Sequence, residues 1–142
     1  MHQVQLGSAT VEVDGDTVFV LRQAAWTSAN VGAFLAVLED VRTTHGRVFL
    51  VNDLSAGLAV SADARKRIAA WLRAHNPEAR VMIGATIAAR AAILLLTRGA
   101  QLLSGNTTPT HFVDTRQEAV EIIARERARL QSATGKVPKV SR

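Results

Sequence analysis

The segment Arg47-Val-Phe-Leu-Val-Asn-Asp-Leu-Ser55 decides the fold of this chain. Its apolar run, residues 48–51, is too short for a helix and is followed at once by polar side chains. A strand without polar alternation is buried on both faces, which is typical of the centre of a largely parallel sheet covered by helices. In such sheets, ligands and partners meet the protein in the loops at the carboxyl ends of the strands. We therefore expect functional side chains at Asp53, Ser55 and Ser61.

The chain on either side of this segment alternates between strand and helix patterns. Residues 11–21 predict a β-hairpin, because apolar and polar residues alternate there and Asp14-Gly15 is a type I′ turn signal. Further strands are predicted at 2–6, 80–84 and 110–113, and helices at 28–45, from Ser61 to Asn76, at 86–103 and from Thr115 to about residue 130. This order predicts an α/β fold with a mixed β-sheet, four packed helices and an N-terminal β-hairpin.

Length and composition indicate a single globular domain. A chain of 142 residues buries about 68–70% of the surface that it exposes when unfolded, which is enough for a core without disulfides. We expect the domain over residues 1–130 and a basic, disordered tail over 131–142, where the sequence turns polar and contains Gly135 and Pro138. The absence of cysteine and of a signal-peptide pattern favours a cytoplasmic protein.

Charge is distributed unevenly along the chain. Residues 1–60 carry three Arg against six acids, whereas residues 61–142 carry fourteen Lys or Arg against six acids. A solvated Arg-rich surface is the simpler explanation, and an anionic partner is the alternative. The sequence does not favour a nucleic acid as that partner, because the chain has no Tyr and its few aromatic residues do not alternate with basic ones.

Four residues near the strand and helix ends are candidate partner or phosphorylation sites: Asp53, Ser55, Ser61 and Arg65. A phosphate on Ser61 would lie on the free N–H groups of a helix N-terminus, with Arg65 one turn further on. A role as helix cap is the simpler explanation, because it explains Ser61 fully by itself. Asp53 could bind a cation or a partner, although an Asp in this place more often shapes the turn that follows it.

The predicted third helix is apolar on most of its surface. Arg90 and Arg98 interrupt the apolar run, so the helix is not predicted to span a membrane. A helical wheel places Ala88, Ala92, Leu95 and Gly99 on one face and leaves Ile87, Ile93 and Leu94 exposed beside the two arginines. Three interpretations remain open: a dimer or partner surface, a membrane or lipid-binding face, and a helix buried on two sides within the domain.

The sequence contains no pattern typical of catalysis or of a cofactor. The four histidines, at positions 2, 45, 75 and 111, lack the spacing of metal ligands. The glycines form neither a dinucleotide-binding nor a phosphate-binding loop. No second carboxylate follows Asp53 closely enough to suggest paired acid–base chemistry. We therefore predict a protein that is not an enzyme and that has neither a cofactor nor a metal.

Three short segments carry a resemblance to a known family. They are Asn52-Asp53-Leu54-Ser55, Ser61-Ala-Asp-Ala-Arg65 and Phe112-Val-Asp-Thr-Arg-Gln-Glu-Ala-Val120. Over about residues 10–130 the chain resembles the STAS-like fold of anti-anti-sigma factors, and more closely the small SpoIIAA-like, or STAS/CRAL-TRIO-type, bacterial domains. The resemblance implies a non-enzymatic protein-interaction or regulatory domain that binds a protein partner or itself.

The resemblance also bears on two more specific properties. In anti-anti-sigma factors a partner kinase phosphorylates a Ser at the start of the second helix, within the pattern Asp-Ser-Ser-Gly. The equivalent segment here, Val60-Ser61-Ala62-Asp63, keeps one Ser and lacks the Gly and the preceding Asp. The CRAL-TRIO relatives bind lipids in an apolar pocket, which implies the alternative function of a carrier for a small apolar ligand or lipid.

Overall fold

The computed structural model describes residues 2–6, 9–21, 26–55, 61–104 and 108–140, with all side chains in these ranges except those of 96, 100, 101, 103, 104 and 133–140. The described residues form six strands and four helices. In chain order these are β1 (His2–Leu6), β2 (Ala9–Asp14), β3 (Thr17–Leu21), α1 (Ser28–His45), β4 (Phe49–Asp53), α2 (Ala62–His75), β5 (Ala79–Ile83), α3 (Ile87–Ser104), β6 (Thr110–Val113) and α4 (Arg116–Val140).

One mixed sheet contains all six strands, in the same order as in the sequence. Antiparallel pairing joins β1, β2 and β3, and the strands from β3 to β6 run parallel to one another. One row of residues across the parallel strands consists of Val20, Asn52, Met82 and Phe112. The predicted α/β class, the N-terminal hairpin and the four helices are confirmed.

The decisive segment forms β4 in the interior of the sheet, between β3 and β5, as predicted. Phe49 and Leu50 are both buried, and they belong to the cores on opposite faces of the sheet. The strand extends further than predicted, because Asn52 and Asp53 continue the parallel ladder to both neighbouring strands. Asp53 is therefore the last residue of the strand, whereas the predicted strand ended at Val51.

The sheet separates two apolar cores, as alternating side chains of a strand point to opposite faces. One core packs the first sheet face against α1 and α2, and it includes Val18, Val20, Leu50, Val31, Phe34, Leu38 and Ala64. The other core packs the second face against α4, and it includes Phe49, Val51, Val81, Val113, Ala119 and Ile123. Each fully buried aliphatic or aromatic side chain contributes about 1.5–3 kcal/mol through the hydrophobic effect.

The hairpin turn differs from the predicted type. Asp14 pairs with Thr17, so the two-residue loop is Gly15-Asp16. A type I′ turn needs positive φ at both central residues, but among these two residues only Gly15 has a positive φ, of 58°. The prediction of a type I′ turn is therefore wrong. Asp16 keeps an ordinary backbone conformation, and its buried carboxylate is held by arginine side chains described below.

The ends of α1 and α2 agree with the sequence prediction. The hydroxyl oxygen of Thr27 caps α1, and Gly46 ends it in the left-handed conformation with a φ of 75°. The hydroxyl oxygen of Ser61 caps α2 in the same way, and Asn76 ends it with a φ of 40°. The start of each helix therefore follows from local capping chemistry.

The last helix starts with a capping interaction between Thr115 and Glu118 and ends later than predicted. The backbone N–H of Glu118 donates to the hydroxyl of Thr115 over 3.2 Å, and the Glu118 carboxylate accepts from the backbone N–H of Asp114 over 3.3 Å. The helix then continues to Val140, past the predicted end near residue 130. Disorder of residues 131–142 in solution stays a prediction.

Candidate functional site

The carboxyl ends of the parallel strands bring three chain segments to one edge of the sheet. Asp53 ends β4, Gly84 follows β5 and Asp114 follows β6. The backbone N–H of Leu54 donates to the carbonyl of Ile83 over 2.8 Å. In the same way, the N–H of Gly84 donates to the carbonyl of Val113 over 2.9 Å. These bonds hold the three strand ends in line, so the edge has a defined backbone shape. We call this surface the carboxyl edge.

Asp53 and Ser55 form a closed turn at the carboxyl edge. One carboxylate oxygen of Asp53 accepts hydrogen bonds from the backbone N–H of Ser55 over 2.9 Å and from its hydroxyl over 2.5 Å. Both hydrogen-bond donors of Ser55, its backbone N–H and its hydroxyl, are thus satisfied by the Asp53 side chain. The Asp therefore shapes the turn, while the Ser55 residue remains exposed to solvent.

Gly84 provides the space that this turn occupies. A Cβ atom at position 84 would lie 2.8 Å from the hydroxyl oxygen of Ser55, and the φ of Gly84 is 68°. Both the close approach and the left-handed conformation require glycine. Gly84 was not among the predicted site residues, because its contact with Ser55 joins the ends of two strands that a helix separates in sequence. Gly84 was predicted as the last residue of a strand over 80–84, whereas the strand ends at Ile83.

Ser61 and Arg65 lie at the start of α2 and are both exposed. The Ser61 hydroxyl oxygen accepts from the backbone N–H of Ala64 over 3.2 Å, and the Ser61 N–H donates to the carbonyl of Trp26 over 3.3 Å. The backbone of Arg65 bonds to that of Ser61 within the first helical turn. Among the described residues, no side-chain hydrogen bond joins this pair to the Asp53–Ser55 turn.

A buried carboxylate lies at the opposite end of the sheet. Asp16 accepts from Nε of Arg47 over 2.7 Å, from Nη2 of Arg127 over 2.7 Å and from Nε of Arg127 over 3.1 Å. Burial of Asp16 opposes its charged form, but the hydrogen bonds from the two guanidinium groups outweigh that cost and lower its pKa to about 2. This cluster joins the hairpin to the segment that precedes β4 and to α4, so its role is structural.

A second ion pair holds the start of α4 to the hairpin. Arg116 donates to the carboxylate of Glu12 over 2.5 Å, and Gln3 donates to the other carboxylate oxygen over 3.1 Å. The hydrogen bond from Arg116 lowers the pKa of Glu12. The guanidinium carbon of Arg116 lies 4.3 Å from the ring centroid of Phe19, which adds a cation–π contact. Neither cluster was predicted from the sequence, because each contains a pair of residues more than a hundred positions apart.

Among the clefts of the described surface, two border α4. The first, of about 450 Å³, lies beside the hairpin turn and is lined by Asp14, Asp16, His45, Ile123 and Arg127, among others. The second, of about 470 Å³, is lined by Glu78, Thr108, Glu126, Arg129 and others. Both clefts are bordered by charged side chains. The first cleft is also lined by Phe19, Val120 and Ala124. The carrier function for a small apolar ligand that the resemblance to CRAL-TRIO proteins implies stays a prediction.

The third helix exposes large apolar side chains along one stripe. The exposed fractions are 88% for Ile87, 40% for Leu94, 72% for Leu95 and 88% for Leu102. These residues recur seven or eight positions apart, so they share one side of the helix. Ala91 and Arg98 are exposed on the same side. We call this stripe, from Ile87 to Leu102, the α3 ridge.

The α3 ridge agrees only in part with the helical wheel. Ile87, Leu94 and Arg98 are exposed as expected. Ile93 was expected to be exposed and is half-buried, while Leu95 was placed on the opposite face and is exposed. The helical wheel predicts which residues share a side of the helix, but it does not predict which side faces the sheet. That orientation depends on the contacts of the first turns of α3.

Arg90 fixes the start of α3 to the last strand. Its Nε donates to the carbonyl of Ala85 over 3.3 Å, and its Nη2 lies 3.6 Å from the carboxylate of Asp114. Its guanidinium carbon lies 5.5 Å from the ring centroid of Phe112. Arg90 therefore belongs to the inner side of the helix. Apart from this attachment, the described part of α3 has few close contacts with other helices or strands. α4, in contrast, packs closely on β5.

The described residues lack a metal-binding cluster and a membrane-spanning helix. They contain no group of three His, Cys, Asp or Glu side chains that could hold a metal ion. None of the described helices is both long and apolar enough to cross a membrane. No protein-family model matches the chain, and no curated protein matches it. The carboxyl edge and the α3 ridge are the two surfaces on which the proposals below rest.

Proposed function

We propose that this chain is a non-enzymatic, STAS-like regulatory domain of the cytoplasm that binds a protein partner, or a second copy of itself, at the carboxyl edge. The observation that carries the proposal is the Asp53–Ser55 turn, which is closed by its own hydrogen bonds and seated against Gly84. A loop that is already held in one conformation loses little entropy on binding. Such a turn suits recognition of a partner more than it suits chemistry.

The two exposed residues at the start of α2 support the same proposal. Ser61 and Arg65 present a hydroxyl and a guanidinium group to solvent within one helical turn. A phosphate on Ser61 would gain the free N–H groups and the positive dipole end of α2, and Arg65 could approach it from the next turn. Phosphorylation there would change the charge of the docking surface. This modification is the regulatory part of the proposal.

Site-specific photo-crosslinking in cells tests the docking surface. We place a photo-reactive amino acid at Ser55 or at Arg65, and at exposed Glu121 on α4 as the matched control. We expect both edge positions to crosslink the same protein, with little product from position 121. The product should also fall when Asp53→Ala opens the turn. Absence of a common product from the two edge positions, or an equal yield from position 121, would overturn the proposal.

The regulatory part has its own measurement. Purified protein is incubated with a cell extract and ATP, and phosphopeptides are mapped by mass spectrometry. Phosphate on Ser61 that lowers crosslinking from position 55 or 65 supports the switch. If Ser61 never carries phosphate under conditions that phosphorylate other sites, the regulatory part is wrong, although docking at the carboxyl edge is unaffected.

A further inference from the structure

We propose that the α3 ridge attaches this domain to the surface of an anionic lipid membrane. The ridge lies along α3 and is distinct from the Asp53–Ser55 turn, so the proposal does not depend on the proposed function. Ile87 and Leu102 mark its two ends, fifteen residues apart, which corresponds to about 22 Å of helix. Contiguous apolar surface of this kind on a water-soluble domain usually marks an interaction site.

The degree of exposure shows that the ridge is not covered within the described part of the chain. Ile87 and Leu102 are 88% exposed and Leu95 is 72% exposed, whereas the apolar residues of α1 at Val31, Phe34 and Leu38 are buried. Both helices are 18 residues long. The apolar side of α1 is therefore part of the core, and most large apolar side chains of the α3 ridge lie outside it.

The charge of α3 distinguishes an anionic surface from a second copy of the chain. The helix contains two arginines and no Asp or Glu. In a symmetric α3–α3 dimer, Arg98 of each copy would enter the apolar contact while neither helix supplies a carboxylate. A membrane that contains acidic lipids supplies both an apolar layer and the missing negative charge. The aliphatic stem of Arg98 can lie in the apolar layer while its guanidinium group reaches the lipid phosphates.

The neighbouring helix adds positive charge on the same side of the sheet. The guanidinium group of Arg90 in α3 lies over the ring of Phe112. Phe112 belongs to the same row of residues as Val20, so the two side chains lie on the same face of the sheet. Val20 packs in the core beneath α1 and α2. α3 therefore begins on the face that α2 covers. α2 exposes four basic side chains, Arg65, Lys66, Arg67 and Arg73, and its single acid is Asp63. This excess of positive charge attracts an anionic leaflet.

The attachment of α3 is compatible with binding in the plane of the membrane. The inner side of the helix is tied to the domain through Arg90, Asp114 and Phe112, so the ridge can enter the headgroup region while the fold stays intact. The described helices do not include one able to cross a membrane. α3 therefore suits peripheral adsorption, with its apolar side at the boundary of the acyl chains.

Vesicle co-sedimentation tests this proposal with the purified full chain. One set of vesicles contains equal parts of phosphatidylglycerol and phosphatidylcholine, and the other contains phosphatidylcholine alone. We expect the protein to sediment with the acidic vesicles and to remain largely in the supernatant with the neutral ones. Binding should weaken as salt rises, because screening reduces the attraction between arginines and lipid phosphates.

Two substitutions on the ridge have matched controls on the opposite side of the domain. Leu95→Glu and Arg98→Glu should each lower affinity for acidic vesicles about tenfold or more, because each adds negative charge and removes an apolar or basic contact. Val120→Glu and Arg125→Glu make the same chemical changes at exposed positions of α4 and should bind nearly as the unsubstituted chain does. Circular dichroism on all four variants establishes that they are folded.

Several outcomes would overturn the proposal. These are no sedimentation of the unsubstituted chain with acidic vesicles, equal binding to both vesicle types, or equal losses from the α4 controls and the ridge variants. A dimer that light scattering detects in the unsubstituted chain but not in Leu95→Glu, without vesicle binding, would assign the ridge to a second copy. Crosslinking from Ser55 reports on the carboxyl edge separately, so failure of either proposal is recognised independently.

Discussion

Asp16 and Arg127 lie 111 residues apart in the sequence and form a two-point ion pair, in which Nη2 and Nε of the arginine lie 2.7 and 3.1 Å from the two carboxylate oxygens. The Asp16 side chain is only 6% exposed. Paired geometry of this kind is the strongest that a carboxylate and a guanidinium group adopt. The pair fastens α4, the last element of the domain, to the hairpin near its beginning.

Removal of the guanidinium group should destabilise the domain. Arg127→Met leaves the buried carboxylate of Asp16 with Arg47 as its remaining charged partner, so we expect the free energy of unfolding to fall by about 2–3 kcal/mol. Urea denaturation followed by circular dichroism measures this change. Arg129→Met is the control, because Arg129 is 60% exposed, and pairs of this kind contribute at most about 1 kcal/mol. Equal losses in the two variants would contradict the structural role of the Asp16 cluster.

Stability should also depend on pH through Asp16. Its pKa is about 2 in the folded protein and about 3.9 in an unfolded chain, so the unfolded state takes up a proton first as the pH falls. The stabilisation is therefore complete above about pH 4 and is lost between about pH 4 and pH 2, by up to about 2 kcal/mol. Glu12, whose pKa is also lowered, contributes in the same direction.

Asp16→Asn isolates this contribution. The difference in unfolding free energy between the unsubstituted chain and the variant is measured by urea denaturation across the acid range. We expect the advantage of the unsubstituted chain to shrink as the pH approaches 2, since the carboxylate becomes protonated there. A difference that stays constant over this range would show that the ionised form of Asp16 is not favoured by folding.

Gly84→Ala should disturb the carboxyl edge. The new methyl group would lie 2.8 Å from the Ser55 hydroxyl at a φ of 68°, so we expect a loss of about 1–3 kcal/mol in the free energy of unfolding. Adding Ser55→Ala removes the clashing oxygen and should restore part of that loss. Gly99→Ala is the control, because a Cβ at position 99 meets no atom within 4 Å and helix propensity favours Ala by up to about 1 kcal/mol. Similar effects of the two glycine substitutions would contradict the close packing at Gly84.

The last part of α4 should exchange its amide hydrogens rapidly. Gly135 weakens the helix locally, and Pro138 lacks an N–H and crowds the preceding turn. Hydrogen exchange measured by mass spectrometry should therefore show much less protection over residues 133–140 than around buried Ile123. Protection of the two regions to the same extent would contradict the prediction of a disordered tail.

Local signals in the sequence predict those parts of the fold that depend on local chemistry. α1 could be delimited because Thr27 caps it and Gly46 ends it, and both are read from neighbouring residues. The buried run at Phe49 and Leu50 predicts the interior position of β4 because its hydrophobic pattern reflects cover on both faces. Ser61 was identifiable as a cap for the same local reason.

The remaining features depend on tertiary contacts that no short pattern contains. Arg127 reaches Asp16 only because α4 crosses the sheet, and Gly84 meets Ser55 only because β4 and β5 are neighbours. The orientation of α3 similarly depends on Arg90 meeting Phe112. Periodicity identifies an apolar helix, but these distant contacts decide whether Leu95 faces the protein or the solvent.

The order of the strands has a consequence for synthesis of the chain. Each strand pairs with the strands that directly precede and follow it in the sequence, so a nascent polypeptide can extend the sheet by one strand at a time as it emerges. The ion pairs to the hairpin form only after α4 has been made, because α4 contains both Arg116 and Arg127, which bind Glu12 and Asp16. Until that helix leaves the ribosome, Glu12 and Asp16 lack these countercharges, and the second face of the sheet lacks its cover.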